Sequence, residues 1–223
     1  MKHALPSLVV PLMPVTWSQD SDMDRWGWEE VPTLPPFLLA DGTGPAMQQT
    51  VARVCYDLTA LYVRFDCTDR DIWGTYTQRD DPIYDQEVVE VFLAAGEIDP
   101  VHYYEFEVSP NAVLFDALIF NPTSERHDMV VDATWNCEPI RWQAGQRDRD
   151  QHWWANLAIP WEAVKPPGDL PAIWRANFYR IERPRDAAPE FSCWSPTLIE
   201  PADFHKPAHF GSLVLAGMKG EHP

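Results

Sequence analysis

A carboxylate and two aromatic residues are the features of this chain whose types and spacing point to chemistry. Glu90 lies inside the apolar run 87–93, which is predicted to be a β-strand, and Tyr84 precedes that run. Trp194 lies much later, in the short segment 193–196. A carboxylate inside an apolar strand is costly unless it has a partner. Two aromatic faces and a carboxylate offer stacking surfaces and hydrogen-bond acceptors, which together suit a sugar ring.

Glu90 has a candidate partner in a second strand. The run 178–181 places Arg180 among apolar residues in the same way. A buried ion pair between Glu90 and Arg180 is therefore predicted as the structural role of both residues. In the ligand-binding interpretation, Glu90, Arg180 and the neighbouring Asn177 bind the hydroxyl groups of a sugar that stacks between Tyr84 and Trp194.

The elements that must position these residues are almost all strands. Strand-forming runs separated by turn residues predict an all-β fold, a two-sheet antiparallel β-sandwich of immunoglobulin-like or jelly-roll-like type with little helix. One helical turn is expected at 161–165, before two prolines. No composition shift marks a boundary, so residues 1–223 are predicted to form a single domain. The predicted strands are 6–17, 50–56, 60–66, 87–93, 102–109, 113–120, 135–142, 153–160, 174–181, 192–194 and 210–215.

Composition limits the partners. The 223 residues include 22 Pro, which disfavours long helices, and the net charge of −17 repels nucleic acids and anionic membrane surfaces. No apolar run reaches the roughly 18 residues of a membrane span. The N-terminal segment 1–14 is interrupted by prolines and resembles no signal peptide, so a cytoplasmic location is expected rather than secretion.

The four cysteines carry no metal-binding pattern. Cys55, Cys67, Cys137 and Cys193 contain no CxxC spacing, which argues against a zinc site. Cys55 and Cys67 are expected on the two arms of one hairpin, but out of step with each other. All four are therefore predicted to be reduced, with at least three of them packed in strands.

The ordered set of segments resembles the family 9 carbohydrate-binding modules. Nearly the whole chain, from about residue 20 to 215, takes part in the resemblance. It implies a β-sandwich that binds a sugar end without catalysis, in a protein associated with polysaccharide breakdown, and it implies structural calcium as the one expected metal. The segments that carry it are 24–28, 57–65, 84–93, 103–116, 157–161 and 177–210, the last with Asn-Phe-Tyr-Arg, Cys-Trp-Ser-Pro and Phe-His-Lys-Pro.

The resemblance assigns residues to this site, with two departures. It implies that Tyr84 and Trp194 are the stacking rings and that Glu90 binds sugar hydroxyls. An arginine of characterised members corresponds to Glu107 here, which reverses the charge. A glutamine near Asn177 corresponds to Tyr179. Both stacking positions are thus still aromatic, whereas the hydrogen-bonding residues around them differ from those of characterised members.

Three alternative functions remain open on the residues alone: a small carbohydrate-active enzyme, a haem-binding sandwich, and a scaffold or interaction module in which the aromatic residues are core. A small glycoside hydrolase would use two carboxylates, such as Glu90 and Glu107, with Glu105 also nearby on the strand. The alternation of Glu105 and Glu107 is, however, more typical of a solvent-facing strand. A haem-binding sandwich would need an axial pair such as His102 with Met47 or Met129. An irregular calcium loop would use Asp20, Asp22 and Asp24, although the glycine and glutamate of a regular loop are missing.

Overall fold

A computed structural model describes residues 4–14, 17, 22–147 and 151–218. This part of the chain contains thirteen strands and one α-helical turn, α1 (Trp161–Val164), where the sequence predicted it. The strands are β1 (Ser7–Val10), β2 (Leu38–Leu39), β3 (Thr50–Tyr56), β4 (Ala60–Thr68), β5 (Val88–Ala95), β6 (His102–Val108), β7 (Leu114–Phe120), β8 (Val130–Asp132), β9 (Arg141–Arg147), β10 (His152–Pro160), β11 (Ile173–Glu182), β12 (Glu190–Cys193) and β13 (Gly211–Leu215).

The strands form two sheets. The small sheet has the order β3-β4-β10-β9 and is antiparallel throughout. The large sheet follows the path β1-β13-β11-β5-β6-β7-β8, with β12 also pairing with β11 and β2 pairing with β12. The β-sandwich prediction is confirmed. One pair departs from the antiparallel expectation, because β1 runs parallel to β13.

One predicted strand is misplaced. The segment 135–142 was expected to be extended, yet 135–140 has no strand and contains a turn at 138–139, and β9 begins only at Arg141. The backbone N–H of Ile140 donates to the carbonyl of Cys137 at 3.0 Å, and Asp116 accepts from the N–H of Cys137 at 2.6 Å. Pro139 also lacks an N–H for a ladder. The turn is therefore held by a side chain on another strand, which no local pattern predicts.

The two faces of the large sheet contact different hydrophobic clusters. Along β5, Val89, Val91 and Leu93 belong to the core cluster that also contains small-sheet residues such as Phe65. We call this the inner face. Val88, Phe92 and Ala94 belong to a second cluster, on the outer face. Because successive side chains of a strand point to opposite faces, the parity of a residue decides which environment it enters.

The cysteine predictions hold in the structure. Cys55 lies opposite Tyr62 and Cys67 opposite Thr50, so the two cysteines are out of step on the β3–β4 hairpin. All four cysteines are free and buried. None of the helices in the described residues is long and apolar enough to cross a membrane.

Candidate functional site

Three carboxylates meet on the outer face of the large sheet. Glu90 of β5 lies directly opposite Glu107 of β6, and Glu105 lies two residues from Glu107 on the same face. One carboxylate oxygen from each of the three lies within 4.8 Å of the other two. The sequence placed Glu105 and Glu107 together on one face correctly. It was wrong to expect that face to be solvated, because both residues are buried.

Burial controls the protonation of this group, which we call the outer triad (Glu90, Glu105 and Glu107). Burial raises the pKa of Glu105 to about 7. Burial, together with the charge of Glu105, raises the pKa of Glu90, and burial with the charges of Glu90 and Glu105 raises that of Glu107. Apart from a proton that it can share with Glu105, Glu107 receives no hydrogen bond at Oε2 from the described residues. The outer triad is therefore a group of hydrogen-bond acceptors that lacks a close cationic partner and one hydrogen bond within the described residues.

The outer triad opens into a cavity of about 420 Å³. We call this cavity the acidic pocket. Aromatic side chains line it beside the carboxylates, so it combines apolar walls with a polar floor. Its lining residues are Tyr84, Asp85, Glu90, Glu105, Glu107, Phe115, Arg126, Val131, Ile181, Arg183, Phe191, Ala202, Phe204 and His205.

Tyr84 and Phe204 reach the acidic pocket from segments outside the strands. Tyr84 lies in the short helical turn Ile83–Asp85, is 41% exposed and packs edge-on against Phe115 at 5.5 Å between ring centroids. Phe204 stacks on Tyr179 with ring centroids 4.2 Å apart, and the Tyr179 hydroxyl donates to the Phe204 carbonyl at 3.0 Å. Tyr179 is fully buried, so it supports a wall of the pocket from beneath.

The cationic groups of the acidic pocket do not neutralise the outer triad. Arg126 pairs with Asp203 at 3.0 Å, and Arg183 lies over the ring of Phe191 at 5.3 Å. His205 lies 3.7 Å from Glu105. Burial lowers the pKa of His205 to about 3, so its imidazole is neutral at ordinary pH. The outer triad thus has charged neighbours at the rim and none that pairs closely with it in the described chain.

Trp194 does not face Tyr84. Cys193 is opposite Tyr179 on the outer face, so the next residue, Trp194, turns to the inner face. There it packs in the core cluster against Phe178 at 5.7 Å and is 5% exposed. The Gly211 backbone lies so close that a side chain there would overlap with the tryptophan ring. The predicted slot between Tyr84 and Trp194 is therefore not formed.

The predicted ion pair between Glu90 and Arg180 is also wrong, for the same reason of parity. Tyr179, not Arg180, lies opposite Glu90, and Arg180 lies opposite Val89 on the inner face. Asn177 is fully buried, and its side-chain amide exchanges hydrogen bonds with the backbone of Ser195 at 2.8 and 3.0 Å. Asn177 and Arg180 therefore lie away from the acidic pocket, whereas Tyr84, Glu90 and Glu107 meet in it.

Arg180 contacts a second group of three buried carboxylates, which we call the inner triad (Asp69, Glu87 and Glu182). The Arg180 guanidinium donates to Asp69 Oδ2 at 2.9 Å and to the Thr68 carbonyl at 2.7 Å. Burial and the hydrogen bond and charge of Asp69 raise the pKa of Glu87 to about 10. Burial raises that of Glu182 to about 7.

The inner triad does not fit the calcium that the family resemblance implies. Calcium needs several free oxygen ligands. Asp69 Oδ2 already accepts from Arg180 and from Trp153 Nε1 at 3.1 Å, and Oδ1 accepts from the N–H of Asp71 at 2.8 Å. A guanidinium beside the carboxylates also repels a divalent cation.

The residues of the other predicted metal and haem sites are engaged or exposed. Of the calcium loop considered above, Asp20 lies outside the described residues. Asp22 accepts from the N–H of Asp24 and pairs with Arg25, while Asp24 pairs with Arg64 at 2.6 Å. The haem candidates do not line the acidic pocket: Met47 is 86% exposed, His102 packs on Phe120 at the start of β6, and Met129 packs against the outer-face cluster.

A larger cavity of about 560 Å³, the Trp pocket, lies on the small sheet. Its charges neutralise one another: Arg64 contacts both Asp24 and Asp66 at 2.6 and 2.7 Å, and Arg53 contacts Asp66 at 3.2 Å. Arg64 also lies over the ring of Trp154 at 4.8 Å. The arginines and aspartates of the Trp pocket are therefore paired with one another, although Arg53 Nε has no hydrogen-bond partner among the described residues. The acidic pocket, whose carboxylates have no close cationic partner in the described chain, is the better candidate site.

Sequence reasoning missed the pocket's other aromatic walls. Phe204 and Phe115 both lie in segments that carry the family resemblance, and Phe115 also lies in a predicted strand, but neither was predicted to contact a ligand. Phe204 precedes the last strand in a stretch without regular structure, so no periodicity places it. Its available signal was the aromatic–histidine pair Phe204-His205 in an otherwise polar loop. Arg126, which joins the pocket rim from a short turn, had no signal at all.

Comparisons with known proteins place the chain in a family. Residues 43–215 match the sequence profile described as Carbohydrate-binding family 9. A relative from Arthroderma benhamiae named "Extracellular protein" is 28% identical over 217 residues, covering 94% of this chain and 90% of the relative.

Solved structures share the fold. A candidate carbohydrate-binding protein from Bacteroides uniformis superposes with a TM-score of 0.74 at 18% identity, covering 95% of this chain and 100% of that one. A family 9 module from Caldicellulosiruptor kristjanssonii in complex with glucose gives a TM-score of 0.63 at 14% identity, covering 97% and 99% of the two chains. A further structure from that organism holds cellotriose. The resemblance seen in the sequence is confirmed, and the chain belongs to carbohydrate-binding family 9.

Proposed function

We propose that this protein binds a carbohydrate without catalysis, and that the ligand occupies the acidic pocket. The observation that carries the proposal is the convergence of Tyr84, Phe204 and the outer triad on one cavity. Aromatic walls stack on the C–H faces of a sugar, and carboxylates accept hydrogen bonds from its hydroxyls. A cavity of about 420 Å³ is within the range of small-molecule sites.

The polar groups of the pocket support a ligand rich in hydrogen-bond donors. Glu90 and Glu107 face each other across neighbouring strands, and Glu107 Oε2 has acceptor capacity that the described chain leaves unused. Arg126 and Arg183 stand at the rim and can donate to ring or glycosidic oxygens. Each stacking contact contributes about 1 kcal/mol beyond area burial, so affinity in the micromolar to millimolar range is expected.

The family relatives support the same class of ligand. The structures from Caldicellulosiruptor kristjanssonii hold glucose and cellotriose, a monosaccharide and a short chain of the same sugar. The present pocket differs from the predicted slot between Tyr84 and Trp194, because Tyr84 is its exposed ring and its other benzene rings come from phenylalanines.

Glycoside hydrolysis is less well supported than binding. A hydrolase needs two carboxylates on opposite sides of the scissile bond, roughly 5–10 Å apart. Here the carboxylates stand side by side on neighbouring strands, with oxygens within 4.8 Å, so they form one floor of the pocket. Turnover of aryl glycosides that is lost in Glu90→Gln would favour the enzyme.

Isothermal titration against neutral hexoses, hexosamines and disaccharides tests the proposal. The wild-type protein is expected to bind at least one of these sugars, and Tyr84→Ala is expected to weaken that binding about tenfold. Trp154→Ala, which removes a ring from the Trp pocket, is the matched control and is expected to bind normally. Absence of binding to the whole panel by folded protein, or loss in Trp154→Ala alone, would contradict the proposal.

The cellular location stays a prediction. The sequence favours the cytoplasm, while the relative from Arthroderma benhamiae is named an extracellular protein. Cell fractionation of the native host with an antibody to this chain would decide between the two, and recovery in the culture medium would contradict the cytoplasmic prediction.

A further inference from the structure

We infer that the acidic pocket selects a cationic sugar, a hexosamine with a free amino group, over the corresponding neutral sugar. The inference rests on the proposed function and names the ligand class of the same site. It starts from an imbalance of charge: three carboxylates line the floor of the pocket, and none of them has an ion-pair partner closer than the neutral His205 at 3.7 Å within the described chain.

The outer triad contains a buried acceptor that the described chain leaves unused. Glu107 is 1% exposed, and its Oε2 receives no hydrogen bond from a donor group of the described residues. A buried carboxylate without a partner costs free energy, because it has lost its water and gained nothing in return. A ligand that brings an N–H group with a positive charge removes this cost, whereas a neutral hydroxyl removes only part of it.

One carboxylate oxygen from each member of the outer triad lies within 4.8 Å of the other two, so a single ammonium group can contact all three at ordinary hydrogen-bond distances. An ammonium group has three N–H donors, which matches three acceptors. A neutral hydroxyl has one O–H donor and satisfies one of them.

The lining around the outer triad suits an organic cation better than a bare metal ion. Calcium takes six to eight oxygen ligands, with backbone carbonyls and water among them. Around the outer triad stand instead Tyr84, Phe115, Phe204 and the guanidinium of Arg126. Aromatic faces attract ammonium groups and pack on C–H surfaces. A bare metal ion has no C–H surface and needs oxygen ligands, which the rings do not supply. An amino group on a sugar ring uses the carboxylates and the rings together.

The charged and titratable groups that face the site are Asp85, Tyr84, Arg126, Arg183 and His205, besides the outer triad. Arg126 is held by Asp203 at 3.0 Å, and His205 is neutral. Because burial raises the pKa of each carboxylate of the outer triad, part of the group is protonated before a ligand binds. An ammonium group stabilises the ionised carboxylates, so its binding should release protons to the buffer.

Titration calorimetry of the full chain tests the inference, with D-glucosamine, D-glucose, N-acetyl-D-glucosamine and ethylamine as probes. At about pH 6.5, with chelator present and ionic strength matched, glucosamine is expected to bind at least about tenfold more tightly than the other three. Repeating the titration in two buffers of different ionisation enthalpy should show proton release with glucosamine only.

Glu107→Gln is the matched variant, because it keeps the shape of the side chain and removes its charge. It is expected to lower glucosamine affinity about tenfold more than it lowers glucose affinity, so that the preference for the amino sugar is lost. Glu138→Gln, an exposed carboxylate outside the pocket lining, is the control and should change neither.

The outcomes separate the two proposals. Equal affinity for glucose and glucosamine, or a preference that survives Glu107→Gln, overturns the selectivity and leaves carbohydrate binding intact. Binding of ethylamine as tight as that of glucosamine, or binding that requires added calcium, also overturns it. Failure of every sugar to bind folded protein removes the proposed function itself.

Discussion

The two buried carboxylate groups, which lie on opposite faces of the same sheet, differ in their cationic partner and in their access to a cavity. The inner triad encloses Arg180, which is fully buried and donates to Asp69. The outer triad has no such cation, and it opens into a cavity. Both have raised pKa values, so a pKa shift by itself does not distinguish structure from site. Buried carboxylate oxygens without a hydrogen bond from the described residues occur in both groups, at Glu87 Oε2 and Glu182 Oε1 of the inner triad and at Glu107 Oε2 of the outer triad. The distinguishing features are the cation that the protein supplies to the inner triad and the cavity beside the outer triad.

Trp194 and Tyr84 show the same contrast between a residue enclosed by the fold and a residue at the acidic pocket. Trp194 is enclosed by the core on the inner face, whereas Tyr84 keeps an exposed ring at the acidic pocket. The sheet thus separates residues that hold the fold from residues available to a ligand. Four substitutions test this separation, and we expect their effects to decrease in the order given.

Arg180→Ala should have the largest effect, because it leaves the inner triad without its cation. We expect the free energy of unfolding to fall by about 5 kcal/mol, measured by urea denaturation at neutral pH. Arg25→Ala, which removes an exposed ion pair, is the control and should cost less than about 1 kcal/mol. A loss of similar size in both variants would show that Arg180 does not neutralise the inner triad.

Trp194→Ala should destabilise the protein by about 3–4 kcal/mol, because it opens a cavity in the core between the sheets. Thermal and chemical denaturation measure this loss. At a temperature where the variant is still folded, its sugar affinity should be close to that of the wild type. If the variant kept its stability and lost sugar binding, the ring would belong to the ligand site after all.

Glu107→Gln should stabilise the protein at pH above neutral. The raised pKa of Glu107 means that the folded state keeps its proton while the unfolded state releases it, so this residue's contribution falls as pH rises above about 4.5. We expect no difference from wild type near pH 4 and a gain of about 1–3 kcal/mol near pH 8.

Comparing the variant with wild type at each pH removes the opposing contribution of His205, whose lowered pKa makes stability rise with pH between about 3 and 6.5. Denaturation curves at a series of pH values supply the measurement. A stability difference that is independent of pH would show that Glu107 is ionised in the folded protein without cost.

Tyr84→Ala should have the smallest effect on stability, about 0.5–1 kcal/mol, because its ring is partly exposed and packs on one neighbour. Tyr84→Ala should instead weaken sugar binding, whereas Trp194→Ala should lower stability and keep sugar affinity. Differential scanning calorimetry and titration on the same preparation compare the two quantities. A large loss of stability in Tyr84→Ala would place the ring in the fold rather than in the site.

The sequence by itself determined the class of fold and most of its strands. Alternating apolar residues predicted β3 to β7 closely, because the period of a strand is local and survives in any context. The same alternation placed Glu105 and Glu107 on one face of β6. The segment order was sufficient to identify the family, and it brought Tyr84, Glu90 and Glu107 into the candidate set.

Tertiary structure decided which partner each residue meets. The register of β11 against β5 set Tyr179 opposite Glu90, and this shift of one position sent Arg180 to the inner face. The step from Cys193 to Trp194 likewise turned the tryptophan into the core. Phe204 and His205 cover the outer face from a segment without periodicity, and that cover turns an acidic strand into a buried pocket. Burial and pairing depend on contacts distant in the chain, so no local pattern contains them.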